Sequence, residues 1–436
     1  MKYFGVVGYP VLHSKSPDFF NPLFEEYGID AHYTRIAAES INDAMYLFDA
    51  IGFDGVNVTT PFKNDAIDSC DNLNEIAKSI GAVNMISNWD GMKVGFNTDY
   101  LGVLNTLKRN KFNLKGAKVL LLGGGNAAKA ALYAISGSGC ELYMVNRNTE
   151  KARNLASKFK CNFETIQNLP NIIGNFDLII STLPNETISI KKEWLNDSQA
   201  IIFDANYNRS KLADLAKASK LKYISGLEWL LNQAIPSFKA FVGESVEYNS
   251  KYIKRLSSVK DAEKSNIYMI GFMGSGKTSI GRALAEKLNR NFYDIDEMIV
   301  ESEGCSVYDI FQNKGEEYFR NLETEFLEKL SKTEPCLVSC GGGIILSEVN
   351  RKLLQTNAIT IWLYSELNTC LNRVKPKTRP LLAVDNPFQI AKKIFAERKD
   401  LYFSCSDLLV NSEKPLQKVI DRLFEEFTKS GYYGNI

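Results

Sequence analysis

The chain has 436 residues, enough for two or three domains of ~100–200 residues, each able to bury its own core. Its 52 Lys+Arg nearly balance 51 Asp+Glu, and neither side of a division near residue 260 is strongly basic, which excludes nucleic acid as the main partner. Two histidines, and eight cysteines without a CxxC (the nearest pair is Cys336 and Cys340), argue against a structural zinc site or a disulfide framework and for buried free thiols.

No apolar run approaches the ~20 residues that span a bilayer. The start MKYFGVVGYP lacks the basic, apolar, small-residue order of a signal peptide, so a cytoplasmic location is expected. In chain order, YFGVVGY, GVNVTT, KVLLLG, ELYMVN, FDLIIST and AIIFDA, then NIYMIG, CLVSC, ITIWLY and DLLV, alternate with amphipathic helical stretches. This predicts an α/β fold with mainly parallel sheets covered on both faces. The polar stretch SSVKDAEKSN (257–266) reads as an exposed linker, and a second boundary is expected near residue 100.

The run KVLLLGGGNAAKAALYAI reads as strand, glycine turn and helix, with Gly123, Gly125 and Ala128 in the positions of GxGxxA. Such a turn brings backbone amides and a helix N-terminus to a pyrophosphate; it also serves packing alone in some proteins. The next strand ends in Asn146-Arg147, and a guanidinium there suits a 2′-phosphate, favouring NADP over NAD. Around this lie HSKSP (13–17), NVTTPFK (57–63), GAVN (81–84) and NTD (97–99). Their hydroxyls, amides, Lys and Asp suit a small polyhydroxylated ligand, although Ser14, Ser16, Thr98 and Asp99 are also candidate helix caps and Lys63 a candidate solvated charge.

In this order, and through SGLEWLLNQAIPSFKAFVGE (225–244), the segments closely resemble shikimate dehydrogenases. The resemblance implies that Ser14, Ser16, Thr59, Asn84, Asp99 and Gln233 hold shikimate and that Lys63 is catalytic, with Asp99 orienting it. It puts Tyr207 near the substrate, Gly226 near the nicotinamide, and Gly123, Gly124, Gly125, Asn126, Ala127, Ala128, Asn146 and Arg147 around NADP(H). Asn126 departs from the family's usual GAGGAA.

Further on, GFMGSGKT satisfies GxxxxGK[ST] between a strand and a helix. Amides of Gly274 to Ser279 would cradle phosphates, with Lys277 reaching the β and γ groups and Thr278 offering a hydroxyl to Mg²⁺. In NFYDIDEMI, Asp294 and Asp296 would share one face of an extended segment. With Arg320 in GEEYFRNLE, Gly341 to Gly343 in SCGGGIIL, Arg379 in KPKTRPLL and Arg398 in AERKDLYFS, this set resembles shikimate kinases.

The kinase resemblance implies that Asp296 orients the attacking hydroxyl, that Asp294 joins Thr278 at the metal, and that Arg320, Arg398, Gly342 and Gly343 hold shikimate. Arg379 would come from a closing lid, and Ser275, Gly276 and Ser279 complete the ATP loop. Asp400, where the family commonly has Pro, would loosen the turn presenting Arg398.

The expected organisation is a two-lobed α/β dehydrogenase over 1–258 (substrate lobe 1–100 plus 226–258, Rossmann-type NADP lobe 101–225). A linker over 259–265 then leads to a P-loop α/β kinase with a parallel sheet over 266–436. The expected function is NADPH reduction of 3-dehydroshikimate followed by ATP phosphorylation of shikimate. Two other readings fit the same residues: a quinate/shikimate dehydrogenase preferring NAD, or one half kept as a non-catalytic binding module.

Overall fold

The computed structural model describes residues 1–187, 189–207, 210–258, 264–374 and 386–430. Its strands are β1 (Lys2–Gly8), β2 (Ala31–Ala37), β3 (Gly55–Val58), β4 (Asn72–Leu73), β5 (Met85–Trp89), β6 (Met92–Phe96), β7 (Lys118–Leu122), β8 (Glu141–Val145) and β9 (Asn162–Glu164). They continue as β10 (Leu178–Ser181), β11 (Ile201–Asp204), β12 (Tyr223–Ile224), β13 (Asn266–Ile270), β14 (Asn291–Asp294), β15 (Cys336–Ser339), β16 (Ala358–Tyr364) and β17 (Leu408–Asn411). The chain folds as two compact units, Met1–Phe62 with Lys260–Ile436, and Lys63–Val259.

In the first unit, parallel strands stand in the order β14-β15-β13-β16-β17-β2-β1-β3. The P-loop strand β13 is central in its part, so the loop opens at the carboxyl ends of buried strands. At the other side of that part, β17 pairs with β2, Leu408 opposite Arg35 and Val410 opposite Ala37. Strands from the two ends of the chain therefore share one hydrogen-bonded ladder. Phe403 seals the seam, its ring edge-on to Tyr3 at 4.7 Å, Phe53 at 5.4 Å and His32 at 5.6 Å.

In the second unit, parallel strands run β12-β11-β10-β7-β8-β9. The continuous apolar run of β7 follows from burial on both faces: Val119 and Leu121 enter one core, Leu120 and Leu122 the other. The expected parallel pattern breaks at β5 and β6, an antiparallel hairpin. Asp90 and Gly91 at its tip both have positive φ, 51° and 87°, as a two-residue primed turn requires.

Candidate active sites

In the second unit, Lys63 Nζ lies 2.6 Å from Asp99 Oδ2, and both side chains are largely buried. Asp99 opens the helix Asp99–Arg109, where a negative charge meets the positive end of the helix dipole. Neither Thr98 nor Asp99 is spent as a side-chain cap: the helix has none at Thr98. Thr98 Oγ1 instead accepts from Asn84 Nδ2 at 2.9 Å and lies 3.2 Å from Gln233 Oε1 and 3.0 Å from Ser237 Oγ.

Asn84 Nδ2 also donates to Asp99 Oδ1 at 2.9 Å and Gln233 Oε1 at 3.2 Å, and its Oδ1 receives the Thr98 amide at 2.7 Å. Trp229 Nε1 donates to the Asp99 carbonyl at 3.0 Å. Thus Lys63, Asn84, Asp99 and Gln233, drawn from four separate segments, form one polar cluster around an ammonium–carboxylate pair. A lysine held this way can give a proton to oxygen and stabilise the charge on it.

The glycine turn follows β7 as expected. The Gly123 amide donates to Val145 O at 2.9 Å, and Gly125 precedes the helix Asn126–Ile135 with open space where a Cβ would sit. Asn126, Ala127 and Ala128 form that helix's first turn. Behind Gly124 stands the Asn146 amide, and Arg147 is exposed just after β8. Gly226 opens the helix Gly226–Val242 against the backbone of Ala205 and Asn206, and Tyr207 follows β11 in the adjoining loop.

In the first unit, Ser14 and Ser16 are buried, their hydroxyls 3.2 Å apart. The helix Ser16–Glu26 has no side-chain cap at its N-cap residue Lys15, while the Ser14 hydroxyl accepts the Ser16 amide at 3.4 Å. Thr59 lies at the end of β3, its amide donating to Val7 O at 2.8 Å.

The P-loop turns through Gly274 at φ 81°, where any Cβ would collide with the Cys370 carbonyl. Lys277 Nζ donates to the loop carbonyls of Gly271 at 2.9 Å and Phe272 at 3.0 Å. Thr278 Oγ1 donates to Asp294 Oδ2 at 2.7 Å. With Gly276, Ser279 and Asp296, these line a polar cleft of about 380 Å³; Ser275 is buried in the loop itself.

Asp294 and Asp296 do not share the face of a strand. Asp294 ends β14 and caps the helix Ile295–Glu303, its side chain accepting from the Glu297 amide, and Asp296 lies in that helix's first turn. The cap breaks the extended run because an aspartate there satisfies a helix amide that β14 cannot. Both carboxylates still face the cleft.

A second cavity adjoins it, lined by Asp296, Arg320, Glu323, Gly342, Gly343 and Arg398 among others. Arg398 Nη1 donates to Gly342 O at 3.1 Å, and a Cβ at Gly343 would collide with the Arg320 guanidinium. Arg320 Nη1 donates to Glu323 Oε2 at 2.6 Å. Glu323 is fully buried, and burial pushes its carboxyl up to about 7 against the pull of Arg320. Asp400 is not in a turn: Arg398 and Asp400 lie inside the continuous helix Pro387–Cys405, where the Tyr3 hydroxyl donates to Asp400. Arg379 lies outside the described residues.

The model of the shikimate dehydrogenase substrate-binding domain matches residues 6–86, that of shikimate / quinate 5-dehydrogenase residues 106–217, and that of shikimate kinase residues 273–428. Over 252 residues the chain is 35% identical to the NADP⁺ shikimate dehydrogenase of Aquifex aeolicus, covering 56% of this chain and 93% of that one. Over 150 residues it is 45% identical to the shikimate kinase of a Sulfurihydrogenibium species, covering 34% of this chain and 89% of that one. The chain belongs to both families. A solved shikimate dehydrogenase from Thermus thermophilus, in complex with NADP(H) and shikimate, superposes with a TM-score of 0.54 at 28% identity, over 59% of this chain and 99% of that one.

In the shikimate dehydrogenase part, Thr98, from the NTD segment but with no role implied by the resemblance, and Ser237 also sit inside the Asn84–Gln233 cluster. In the shikimate kinase part the residues not singled out for the site are Glu323 and Arg373. Arg373 lines the nucleotide cleft, anchored to Ser365 Oγ at 3.3 Å and Ser412 O at 3.2 Å. Glu323 stands three residues after Arg320 on one helix face, but Glu316 four residues before pairs with it as well, so spacing alone does not single Glu323 out. No helix among the described residues is long and apolar enough to cross a membrane.

Proposed function

We propose that the first part reduces 3-dehydroshikimate to shikimate with NADPH and that the second phosphorylates shikimate with ATP, in the cytoplasm, on small molecules alone. The observation that carries this reading is that each part has a complete reactive set: Lys63 on Asp99 at 2.6 Å, and Thr278 on Asp294 at 2.7 Å beside Asp296.

In the first reaction NADPH supplies the hydride. Lys63 protonates the forming alkoxide, and Asp99 holds the ammonium in place. Asn84 and Gln233 hold substrate hydroxyls, together with Ser14, Ser16 and Thr59, while Tyr207 lies beside the ring and Gly226 beside the nicotinamide. Gly123 to Ala128 seat the pyrophosphate at a helix N-terminus, and exposed Arg147 next to Asn146 meets the 2′-phosphate, which selects NADP(H).

In the second reaction, Asp296 orients the acceptor hydroxyl, and Arg320 and Arg398 pair with the shikimate carboxylate beside Gly342 and Gly343. Lys277 exchanges its two carbonyl partners for phosphate oxygens. Thr278 and Asp294 are hard oxygen donors in the phosphate cleft and fit Mg²⁺, which would neutralise phosphate charge there. Arg379, outside the described residues, would by the kinase resemblance add positive charge toward the transferring group.

Purified protein should oxidise shikimate with NADP⁺ and, separately, consume ATP only when shikimate is present. Lys63→Ala should abolish the first activity and spare the second; Lys277→Ala should do the reverse. Loss of both activities in either folded variant would sink the two-site reading.

A further inference from the structure

The loop between β1 and the helix Ser16–Glu26 carries Ser14 and Ser16, and its backbone has partners from far away in the chain. Glu426, on the helix Leu416–Lys429, accepts the Val11 amide at 2.7 Å and the Leu12 amide at 2.9 Å through one oxygen, Oε2. From the other side, Arg35 Nε and Nη2 donate to the Ser14 carbonyl at 2.9 and 2.7 Å. A buried loop amide must be paired, and among the described residues no backbone carbonyl pairs with these two. Among the described residues, the kinase part supplies their partner.

This placement is costly for the helix that bears it. Glu426 is fully buried, stands in the last turns of its helix where the dipole disfavours negative charge, and leaves Oε1 without a hydrogen bond among the described residues. Burial pushes its carboxyl up to about 7, against the two amides, Arg422 and Arg35. The ATP and acceptor cavities are lined by other residues. Its hydrogen bonds all serve the loop of the other enzyme.

We propose that Glu426, on the last helix of the kinase part, is a positioning residue for the dehydrogenase: it fixes the backbone of residues 11–14 and thereby the directions of Ser14 and Ser16. The inference rests on the assignment of those serines to shikimate. Kinase and dehydrogenase are then joined by more than a tether, because a helix of one completes a substrate loop of the other.

The test uses the full chain with Glu426→Ala, Glu426→Gln and Ser16→Ala. For shikimate oxidation, Glu426→Ala should raise KM for shikimate about tenfold, as losing two charge-assisted bonds would. Its kcat and its KM for NADP⁺ should stay within about twofold. Glu426→Gln, which keeps the shape and one acceptor oxygen, should fall between wild type and Glu426→Ala. Both kinase KM values should hold.

If Ser16→Ala raises KM for shikimate but neither Glu426 variant does, the positioning role is overturned and the serine assignment stands. Should Ser16→Ala leave KM unchanged, the assignment itself fails. A parallel loss of kinase and dehydrogenase activity in the folded Glu426→Gln variant would show a general structural role and overturn the proposal.

Discussion

Arg320 meets the acceptor cavity with its donors already engaged. Glu323 takes Nη1, and Glu316, on the surface, takes Nε at 3.1 Å and Nη2 at 2.7 Å. On the proposed pairing of Arg320 with a substrate carboxylate, the ligand would displace the exposed Glu316 but not Glu323, which is buried beneath the guanidinium. We therefore expect Glu323→Ala to raise the kinase KM for shikimate about tenfold or more, and Glu316→Ala to change it less than about twofold, measured at saturating ATP. The reverse ranking would show that the surface pair orients Arg320. Thr278 stands out from the GxxxxGK[ST] spacing alone, whereas Lys63, Asp99 and Arg398 stand out only through the order of motifs around them, and the structure brings Lys63 and Asp99 together. Glu323 was harder to see: GEEYFRNLE holds three glutamates, and the letters do not distinguish a buried carboxylate from two solvated ones.

At the scale of elements, continuous apolar runs read correctly as strands because burial on both faces leaves no place for a polar residue. AHYTRIA is no such run: His, Thr and Arg interrupt it, yet β2 lies between β1 and β17 with Thr34 fully buried. Thr34 is tolerated there because its hydroxyl donates to Ser406 O at 2.8 Å. The hairpin of β5 and β6 likewise lacks a continuous apolar run, although Asp90-Gly91 between Trp89 and Met92 carries its turn signal. The helix Pro387–Cys405 shows how a departure from family pattern acquires a partner. Asp400 accepts from Tyr3, and the neighbouring Lys399 donates to Ile51 O at 3.1 Å and lies over the Tyr3 ring. Two residues before Asp400, Arg398 points to the acceptor cavity. Removing the brace with Asp400→Ala should raise the kinase KM for shikimate about fivefold, a loss of about 1 kcal/mol, and leave shikimate oxidation unchanged. Asp400→Asn should lie nearer wild type. An unchanged KM in both variants would mean that the rest of the helix packing alone sets Arg398.

At the scale of the whole molecule, the order of the two enzymes was readable from their motifs, but the ladder between β17 and β2 was not, since neither strand carries chemistry. Each would be an exposed edge without the other, and an unpaired edge is a liability that pairing removes. The seam gives the protein a specific acid sensitivity. His32, on β2, packs against Phe403, with Asp407 and Lys264 nearby and the Ser406 backbone as a hydrogen-bond partner. Burial lowers its pKa from 6.5 to about 4. Because the folded state resists the proton that the unfolded chain accepts, His32 contributes stability that is present above about 6.5 and is lost as pH falls toward 4. At pH 5 the loss should be about 1–2 kcal/mol. Between pH 7 and pH 5, wild-type Tm should therefore fall a few degrees further than that of His32→Gln, which has no proton to gain. Equal slopes for the two proteins, followed by calorimetry across that range, would place the acid-sensitive step elsewhere than the strand pairing that joins the enzymes.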